Sequence, residues 1–136
     1  AKRRGQTILV FPSGTRYRPG NPETKRGLRE IDSYLRMFDV MILVSINGNC
    51  LRINPETPND MLSDLVCKDV VIMTASPVIE CKPFRNQVIE SLGEKPDERG
   101  IDPKQATADK IMELLEEQHN SMEAEYQKRL RAASGE

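Results

Sequence analysis

The sequence predicts an α/β fold with a mostly parallel sheet, flanking helices and a long carboxyl-terminal helix. Two apolar runs, at 6–11 and 40–47, lack the polar alternation of a half-exposed strand, which favours strands buried on both faces. A helical pattern lies between them, so the three segments together predict a βαβ unit. The 136 residues are enough for one domain.

The first third of the chain supplies the predicted βαβ unit. Gln6–Phe11 is the first predicted strand, and Pro12–Thr24 is a loop rich in Gly, Pro and Asn. Val40–Asn47 is the second predicted strand. Between them, Lys25–Phe38 is predicted to be helical because its apolar residues recur every three or four positions. These residues are Leu28, Ile31, Leu35 and Phe38.

The middle of the chain supplies a short helix and a third strand. Thr57 followed by Pro58 is typical of a helix start, which predicts a helix over Pro58–Val66. A β-branched core predicts a strand region over Asp69–Cys81. Ser76-Pro77 should interrupt this region, because proline cannot donate to a strand ladder.

The last third is predicted to be helical. Pro83–Leu92 has a helical pattern that ends at Gly93, a suitable C-cap residue. Asp102-Pro103 opens a long helix to about Ala133, with an apolar stripe that consists of Ile111, Leu115, Met122, Tyr126 and Leu130. The predicted organisation is therefore an α/β domain over 1–93, a linker over 94–102 and an amphipathic helix over 103–136. We expect this helix to dock on the domain, and the alternatives are a partner-binding helix or a membrane-surface helix.

The charges are unevenly distributed along the chain. The formal net charge is −1, but residues 1–36 hold nine basic and three acidic side chains, a net +6 that leaves −7 for the rest. The basic end suits an anionic ligand such as phosphate, nucleic acid or an anionic membrane surface. Trp is absent and aromatic residues are few, which argues against stacking of single-stranded bases, and no nucleic-acid partner is predicted.

The apolar runs and the cysteines indicate the compartment. No run approaches the length of a membrane span, and no signal peptide is predicted. Cys50, Cys67 and Cys81 form no close pair, which is typical of reduced thiols in the cytosol rather than of disulfides or a metal site. The predicted location is therefore cytoplasmic, and no cofactor or metal is predicted.

The segment after the first predicted strand carries the chemistry that an anion would need. Gly14 permits a sharp turn, and Arg16 and Arg18 should point to the same side of an extended segment. Two guanidinium groups on one side can hold one phosphate group, while Lys25 and Arg26 add positive charge nearby. The alternative is a solvated basic loop. Phosphate loops of the Walker and dinucleotide-binding types are excluded, because their glycine spacing does not occur.

The segment Val10-Phe11-Pro12-Ser13-Gly14-Thr15-Arg16 resembles the third conserved block of the glycerolipid acyltransferases. This family includes glycerol-3-phosphate and lysophosphatidic acid acyltransferases. Lys25-Arg26-Gly27 resembles the basic segment before its next helix, and Met41–Ile46 resembles its fourth block. Val70–Pro77 resembles a later strand that ends in a small residue and proline. The resemblance extends from about Gly5 to Leu92.

The resemblance implies a function in phospholipid biosynthesis at the membrane surface. Arg16 and Arg18, with Lys25, would bind the phosphate of glycerol 3-phosphate or a lysophosphatidate. The acyl donor would be acyl-CoA or acyl carrier protein. Ser13 and Thr15 would shape the turn at Gly14 or contact the glycerol. Ser13 replaces the glutamate of most members, and together with the paired arginines it resembles the plastid-type glycerol-3-phosphate acyltransferases.

The family's catalytic block is missing from this chain. In the family a His, with an Asp five positions later, acts as general base on the glycerol hydroxyl. The chain has one histidine, His119, and Ala124 lies five positions later. We therefore expect a carboxyl-terminal portion of an acyltransferase domain without catalytic residues of its own. A sheet cut in this way would expose an edge that allows self-association. The alternative is a non-catalytic anion-binding or protein-interaction module.

Overall fold

A computed structural model describes residues 5–135. The predicted basic segment Ala1-Lys2-Arg3-Arg4 and the terminal Glu136 lie outside the described residues. The chain divides into two compact units: residues 5–43 with 76–114, and residues 44–75 with 115–135. Helix α3, Pro103–Ser121, contributes residues to both units.

The first unit is mainly helical. After a 3₁₀ turn at Pro22–Lys25 it contains α1 (Ile31–Met37), the short strand β1 (Val40–Met41), α2 (Cys81–Ser91) and the amino-terminal part of α3. A second 3₁₀ turn covers Asp97–Arg99. Its buried apolar residues come from both ends of the unit's sequence, and they are Ile31, Leu35, Leu43, Cys81, Ala108 and Ile111.

The second unit consists of two strand pairs and two helical segments. β2 (Val44–Asn47) pairs with β5 (Ile72–Ala75), and β3 (Leu51–Arg52) pairs with β4 (Leu65–Val66). The end of α3 and helix α4 (Glu123–Ala133) complete the unit. In the first unit, β1 pairs with the remaining strand, β6 (Ile79–Glu80).

The prediction of a mostly parallel sheet is wrong. Every strand pair within residues 5–135 is antiparallel, and each sheet has only two strands. The predicted first strand, Gln6–Phe11, has no strand structure, and its residues Ile8, Leu9 and Phe11 are exposed. A strand needs a hydrogen-bonded neighbour, and no described segment pairs with these residues. The βαβ unit therefore does not form.

The second predicted strand shows why its apolar run was misleading. The run 40–47 divides into β1 and β2, and the buried side chains of β2 are polar. Ser45 and Asn47 are buried, whereas Val44 and Ile46 are exposed. Gln118 donates its side-chain amide to Ser45 Oγ at 3.1 Å and to the Thr74 carbonyl at 2.7 Å. Hydrogen bonding to the helix, rather than apolar burial, selects the inner face of this strand.

The helix predicted over Lys25–Phe38 begins later, at Ile31. Gly27 packs so closely on α3 that an added Cβ would lie 3.0 Å from the Ala108 carbonyl oxygen. The Gly27 carbonyl accepts a hydrogen bond from Gln105 Nε2 at 2.9 Å, and the Leu28 N–H donates to the Pro12 carbonyl at 2.7 Å. These long-range contacts use the backbone groups that a helix would need.

Two other predicted helices are also shorter than expected. Pro58–Val66 reduces to a 3₁₀ turn at Met61–Ser63, and β4 follows it. The long helix to Ala133 is interrupted at Met122, between α3 and α4. There the His119 carbonyl accepts from the Met122 N–H at 3.1 Å and from Asn47 Nδ2 at 3.0 Å. The buried Asn47 amide thus occupies a carbonyl that a continuous helix would offer to residue 123.

Two local predictions are confirmed. The helix predicted over Pro83–Leu92 corresponds to α2, which begins two residues earlier and ends one residue earlier, at Ser91. Gly93, the predicted C-cap residue, lies just beyond this helix and has φ +75°. Ser76-Pro77 separates β5 from β6 as expected. Ser76 Oγ accepts a hydrogen bond from the Leu43 N–H at 2.9 Å and donates one to the Pro77 carbonyl at 2.8 Å.

Candidate functional site

A tight turn begins the predicted phosphate-binding segment in the first unit. The Gly14 N–H donates to the Phe11 carbonyl at 2.9 Å, and Gly14 has φ +69°, a conformation that favours glycine. An added Cβ at Gly14 would lie 3.0 Å from Leu28 Cδ1. Ser13 Oγ donates to the Thr15 carbonyl at 2.7 Å, so this hydroxyl stabilises the turn. The sharp turn expected at Gly14 is present.

A second closure lies just beyond this turn and is centred on Thr24. The buried Thr24 hydroxyl accepts from the Arg18 N–H at 2.8 Å and donates to the Asn21 carbonyl at 2.7 Å. The Asn21 N–H in turn donates to the Arg18 carbonyl at 2.9 Å. This network closes residues 18–24 into a compact loop. We call residues 13–25, which include the turn and this closure, the basic loop.

The cationic side chains of the basic loop differ in their exposure to solvent. Arg16 is exposed, whereas Arg18 is only 8 % exposed, so the two arginines that should share one side differ in burial. Lys25 is exposed, and its Nζ lies 4.9 Å from the centroid of the Tyr17 ring, a cation–π contact. Loop closure thus brings Lys25 against the immediate neighbour of Arg16.

An ion pair anchors the segment just after the basic loop. Arg29 Nε pairs with Asp102, which precedes the first residue of α3. The hydrogen bond from Arg29 holds the pKa of Asp102 below its ordinary value, and the same bond raises the pKa of Arg29. Together with the hydrogen bond between Gln105 and Gly27, this pair holds the segment just after the basic loop against the start of α3.

His119 lies in the second unit, where its ring contacts a strand and a helix. Its Nδ1 is 3.0 Å from the Ile46 carbonyl oxygen of β2, and its Nε2 is 3.8 Å from Glu123 Oε2. The pKa of Glu123 is lowered by the hydrogen bond from Gln127 and then by that from Asn47. His119 is therefore held between strand β2 and the start of α4, rather than beside an aspartate.

A second group of basic residues lines a cleft that was not predicted from the sequence. A cleft of about 240 Å³ in the first unit is lined by Leu35 and Arg36 of α1 and by Lys82, Arg85 and Asn86 of α2. We call it the α1–α2 cleft. Its signal in the sequence was the spacing of Lys82, Arg85 and Asn86, which places them on one face of a helix.

Other site types find no support within residues 5–135. No group of three or more His, Cys, Asp or Glu side chains there is arranged to hold a metal ion. Cys50, Cys67 and Cys81 are free thiols, and burial, followed by the nearby charge of Asp39, raises the pKa of Cys81. None of the helices in this part of the chain combines the length and the apolar character that a bilayer crossing requires.

Comparison with known proteins leaves the family open. No protein-family model matches the chain, and neither a curated protein nor a solved structure matches it. The candidate sites in this chain are therefore defined by its own residues, those of the basic loop and of the α1–α2 cleft.

Proposed function

We propose that this chain binds the phosphate group of glycerol 3-phosphate or a lysophosphatidate at the basic loop, as the phosphate-binding portion of a glycerophospholipid acyltransferase. The observation that carries the proposal is the loop closure at Thr24. It joins the Pro-Ser-Gly-Thr-Arg turn to Lys25, whose Nζ lies over the ring of Tyr17, the residue that follows Arg16. A closed loop that carries several cations suits a compact anion, because charge-assisted hydrogen bonds to phosphate are strong.

The chemistry of the two exposed cations suits a phosphate ester. The Arg16 guanidinium offers a planar fork of donors to two phosphate oxygens, and the Lys25 ammonium offers a compact charge from another direction. Arg18 is buried, so in this proposal it contributes positive charge to the loop rather than an exposed donor. The closed backbone lowers the entropic cost of binding, because the hydrogen bonds of Thr24 order the loop.

The apolar residues before the loop fit a lipid substrate. Leu9 and Phe11 are 79 % and 69 % exposed, and they directly precede the turn at Gly14. Exposed apolar side chains beside a cationic loop suit a molecule with a phosphate headgroup and an acyl chain, and suit peripheral contact with a membrane surface. In this proposal the chain orients the phosphate, and the acyl group comes from acyl-CoA or acyl carrier protein.

The proposal is tested by titrating the ¹⁵N-labelled chain with glycerol 3-phosphate and following the amide resonances of Gly14 and Gly20. We expect both resonances to shift and the melting temperature to rise, because a ligand that binds the folded state stabilises it. Arg16→Ala should weaken this binding about tenfold or more, since a charge-assisted hydrogen bond is lost. Arg131→Ala, which removes an exposed arginine from α4, is the matched control and should bind as the unaltered chain does.

Four results would contradict the proposal. Gly14 and Gly20 resonances that do not respond to glycerol 3-phosphate would exclude the basic loop as its site. Equal binding by Arg16→Ala and Arg131→Ala would show that the arginine is not part of the site. Salt-sensitive binding of a polyanion without any response to glycerol 3-phosphate would favour the non-catalytic anion-binding module instead. Acyl transfer by the chain itself would contradict the role given to it here.

A further inference from the structure

The α1–α2 cleft carries more positive charge than the contacts around it neutralise. Three cations line it, namely Arg36, Lys82 and Arg85, and no carboxylate is among its lining residues. The nearest compensation is Asp32, which is fully buried and contacts two of the three cations. Counting this carboxylate against the three cations leaves a net charge of +2.

Asp32 orients the two arginines that line the cleft. Its Oδ1 accepts from Arg85 Nε at 2.7 Å and from Thr107 Oγ1 at 3.1 Å. Its Oδ2 lies 3.2 Å from Arg36 Nε without an aligned hydrogen bond, so that contact is mainly ionic. Each guanidinium group carries five N–H donors and contacts the carboxylate through Nε. The arginines are thus held in place while further donors remain for a ligand.

The two other polar residues of the cleft make no competing contact. Within residues 5–135, the side chains of Lys82 and Asn86 form no hydrogen bond or ion pair, and both residues are exposed. Lys82, Arg85 and Asn86 lie on one face of α2, opposite Arg36 of α1. The cleft has a volume of about 240 Å³, which accommodates a small headgroup.

We infer that the α1–α2 cleft is a second anion site, which binds the dianionic phosphate group of a small phosphate ester or of a lipid headgroup. The charge decides between anion classes, because a phosphate monoester carries close to two negative charges near neutral pH and balances the net +2. A single carboxylate would leave one cation uncompensated. The donors also match, since guanidinium, ammonium and amide groups approach the tetrahedral oxygens from two helices. This site is distinct from the basic loop and does not depend on the function proposed for that loop.

The decisive variant is Asn86→Asp, which adds a carboxylate among the three cations. The change should preserve the fold, because it also creates a favourable pair with Lys82 one turn earlier on α2. Gln87→Glu is the matched control, since it adds the same charge one position along the helix, about 100° around its axis and outside the cleft. Lys82→Ala and Lys128→Ala form a second matched pair, with Lys128 exposed on α4.

The measurement is an NMR titration with inorganic phosphate that follows the side-chain amide of Asn86, while binding to the variants is measured by calorimetry. We expect the Asn86 resonances to shift, and both Asn86→Asp and Lys82→Ala to weaken phosphate binding about tenfold or more. Gln87→Glu and Lys128→Ala should bind phosphate as the unaltered chain does. Circular dichroism checks that each variant is folded.

Two arms distinguish the source of the phosphate group. Saturation by glycerol 3-phosphate, without sedimentation on phosphatidylcholine vesicles that contain phosphatidic acid, identifies a soluble phosphate ester. Sedimentation on these vesicles that is lost in Asn86→Asp but kept in Gln87→Glu identifies a lipid headgroup.

Any of three results would overturn the cleft site. In the first, the Asn86 amide does not respond to phosphate. In the second, Asn86→Asp binds phosphate as tightly as Gln87→Glu does. If Arg16→Ala removes all phosphate binding, the cleft site fails while the function of the basic loop stands. If instead the Gly14 and Gly20 resonances stay unchanged while Asn86 responds, the proposal for the loop fails and the cleft site stands.

Discussion

Each unit of the molecule contains an aspartate with several side-chain or backbone partners, and the two aspartates are stabilised in different ways. Asp32 of the first unit is fully buried and contacts two arginines and a threonine hydroxyl. Asp69 of the second unit is only partly buried and accepts hydrogen bonds from neutral donors. A buried carboxylate needs compensating charge, whereas a partly solvated one needs only hydrogen bonds. The first arrangement therefore places cations beside a cleft, and the second does not.

The hydrogen bonds of Asp69 have clear electrostatic consequences. Its carboxylate accepts from Tyr126 Oη at 2.6 Å and from the N–H groups of Asn49 and Val70, each at 2.7 Å. Burial raises the pKa of Asp69, but these hydrogen bonds outweigh that effect and hold the pKa below its ordinary value. The hydrogen bond to Asp69, followed by burial, raises the pKa of Tyr126 to about 12. Asp69 and Tyr126 thus stabilise the charged carboxylate and the neutral phenol together.

The largest expected effect comes from removing the buried carboxylate of the first unit. Asp32→Ala should lower the free energy of unfolding by about 3 kcal/mol, because it leaves Arg85, with a side chain 23 % exposed, without its partner. Urea unfolding measures this loss. Asp97→Ala, at an exposed position in the same unit, is the control. Equal stability of the two variants would show that Asp32 does not hold the helices together.

A smaller effect is expected when the phenol of the second unit is removed. Tyr126→Phe should lower the free energy of unfolding by about 1.5 kcal/mol, because the hydrogen bond to the charged Asp69 is lost. Urea unfolding near neutral pH measures the loss, and Tyr17→Phe, at an exposed tyrosine, is the control. If Tyr126→Phe lowers the free energy of unfolding as much as Asp32→Ala does, neutral hydrogen bonds stabilise Asp69 as strongly as arginines stabilise Asp32, contrary to the difference proposed here.

The pH dependence of the free energy of unfolding is a second test of the contact between Asp69 and Tyr126. The Tyr126 phenol titrates near 10.0 when unfolded and near 12 when folded, so its contribution is full below pH 10 and is lost as pH rises towards 12. Tyr126→Phe should remove this alkaline loss. Asp69 has a lowered pKa, so its contribution is present above its unfolded value of 3.8 and is lost as pH falls through the lower folded value. Urea unfolding across both ranges checks the two signs.

The smallest effect is expected at the ion pair between Arg29 and Asp102, where both side chains are well exposed. Arg29→Gln should lower the urea midpoint slightly at low ionic strength. The difference should vanish in about 1 M sodium chloride, because salt screens exposed pairs. A difference that persists at high salt would mean that this pair behaves like the buried cluster at Asp32, contrary to its exposure.

Predictions from the sequence were accurate where neighbouring residues set the conformation. The α2 helix, the positive φ of Gly93 and the turn at Gly14 all follow from side chains within a few positions. The interruption at Ser76-Pro77 has the same local origin, because proline cannot complete a strand ladder. Of the two candidate sites, the basic loop was predicted from the sequence for this reason.

Predictions failed where distant segments compete for the same backbone groups. Gly27 follows the surface of α3 instead of continuing a helix, and Asn47 interrupts a helix through a carbonyl 72 positions away. The α1–α2 cleft was missed for a related reason. Its two walls are joined by a contact between Asp32 and Arg85, which lie 53 positions apart, and no local pattern reports such a contact.

The sequence by itself determined the basic loop: its glycine turn, its hydroxyl groups and its cations are all within 13 residues, and short-range hydrogen bonds close it. Only the tertiary structure decided the pairing of the strands, the polar inner face of β2 and the cleft between α1 and α2. The physical reason is that burial of a polar group must be compensated by a specific partner. The positions of Asp32 and Asn47 are therefore set by residues far along the chain rather than by their own apolar or polar neighbours.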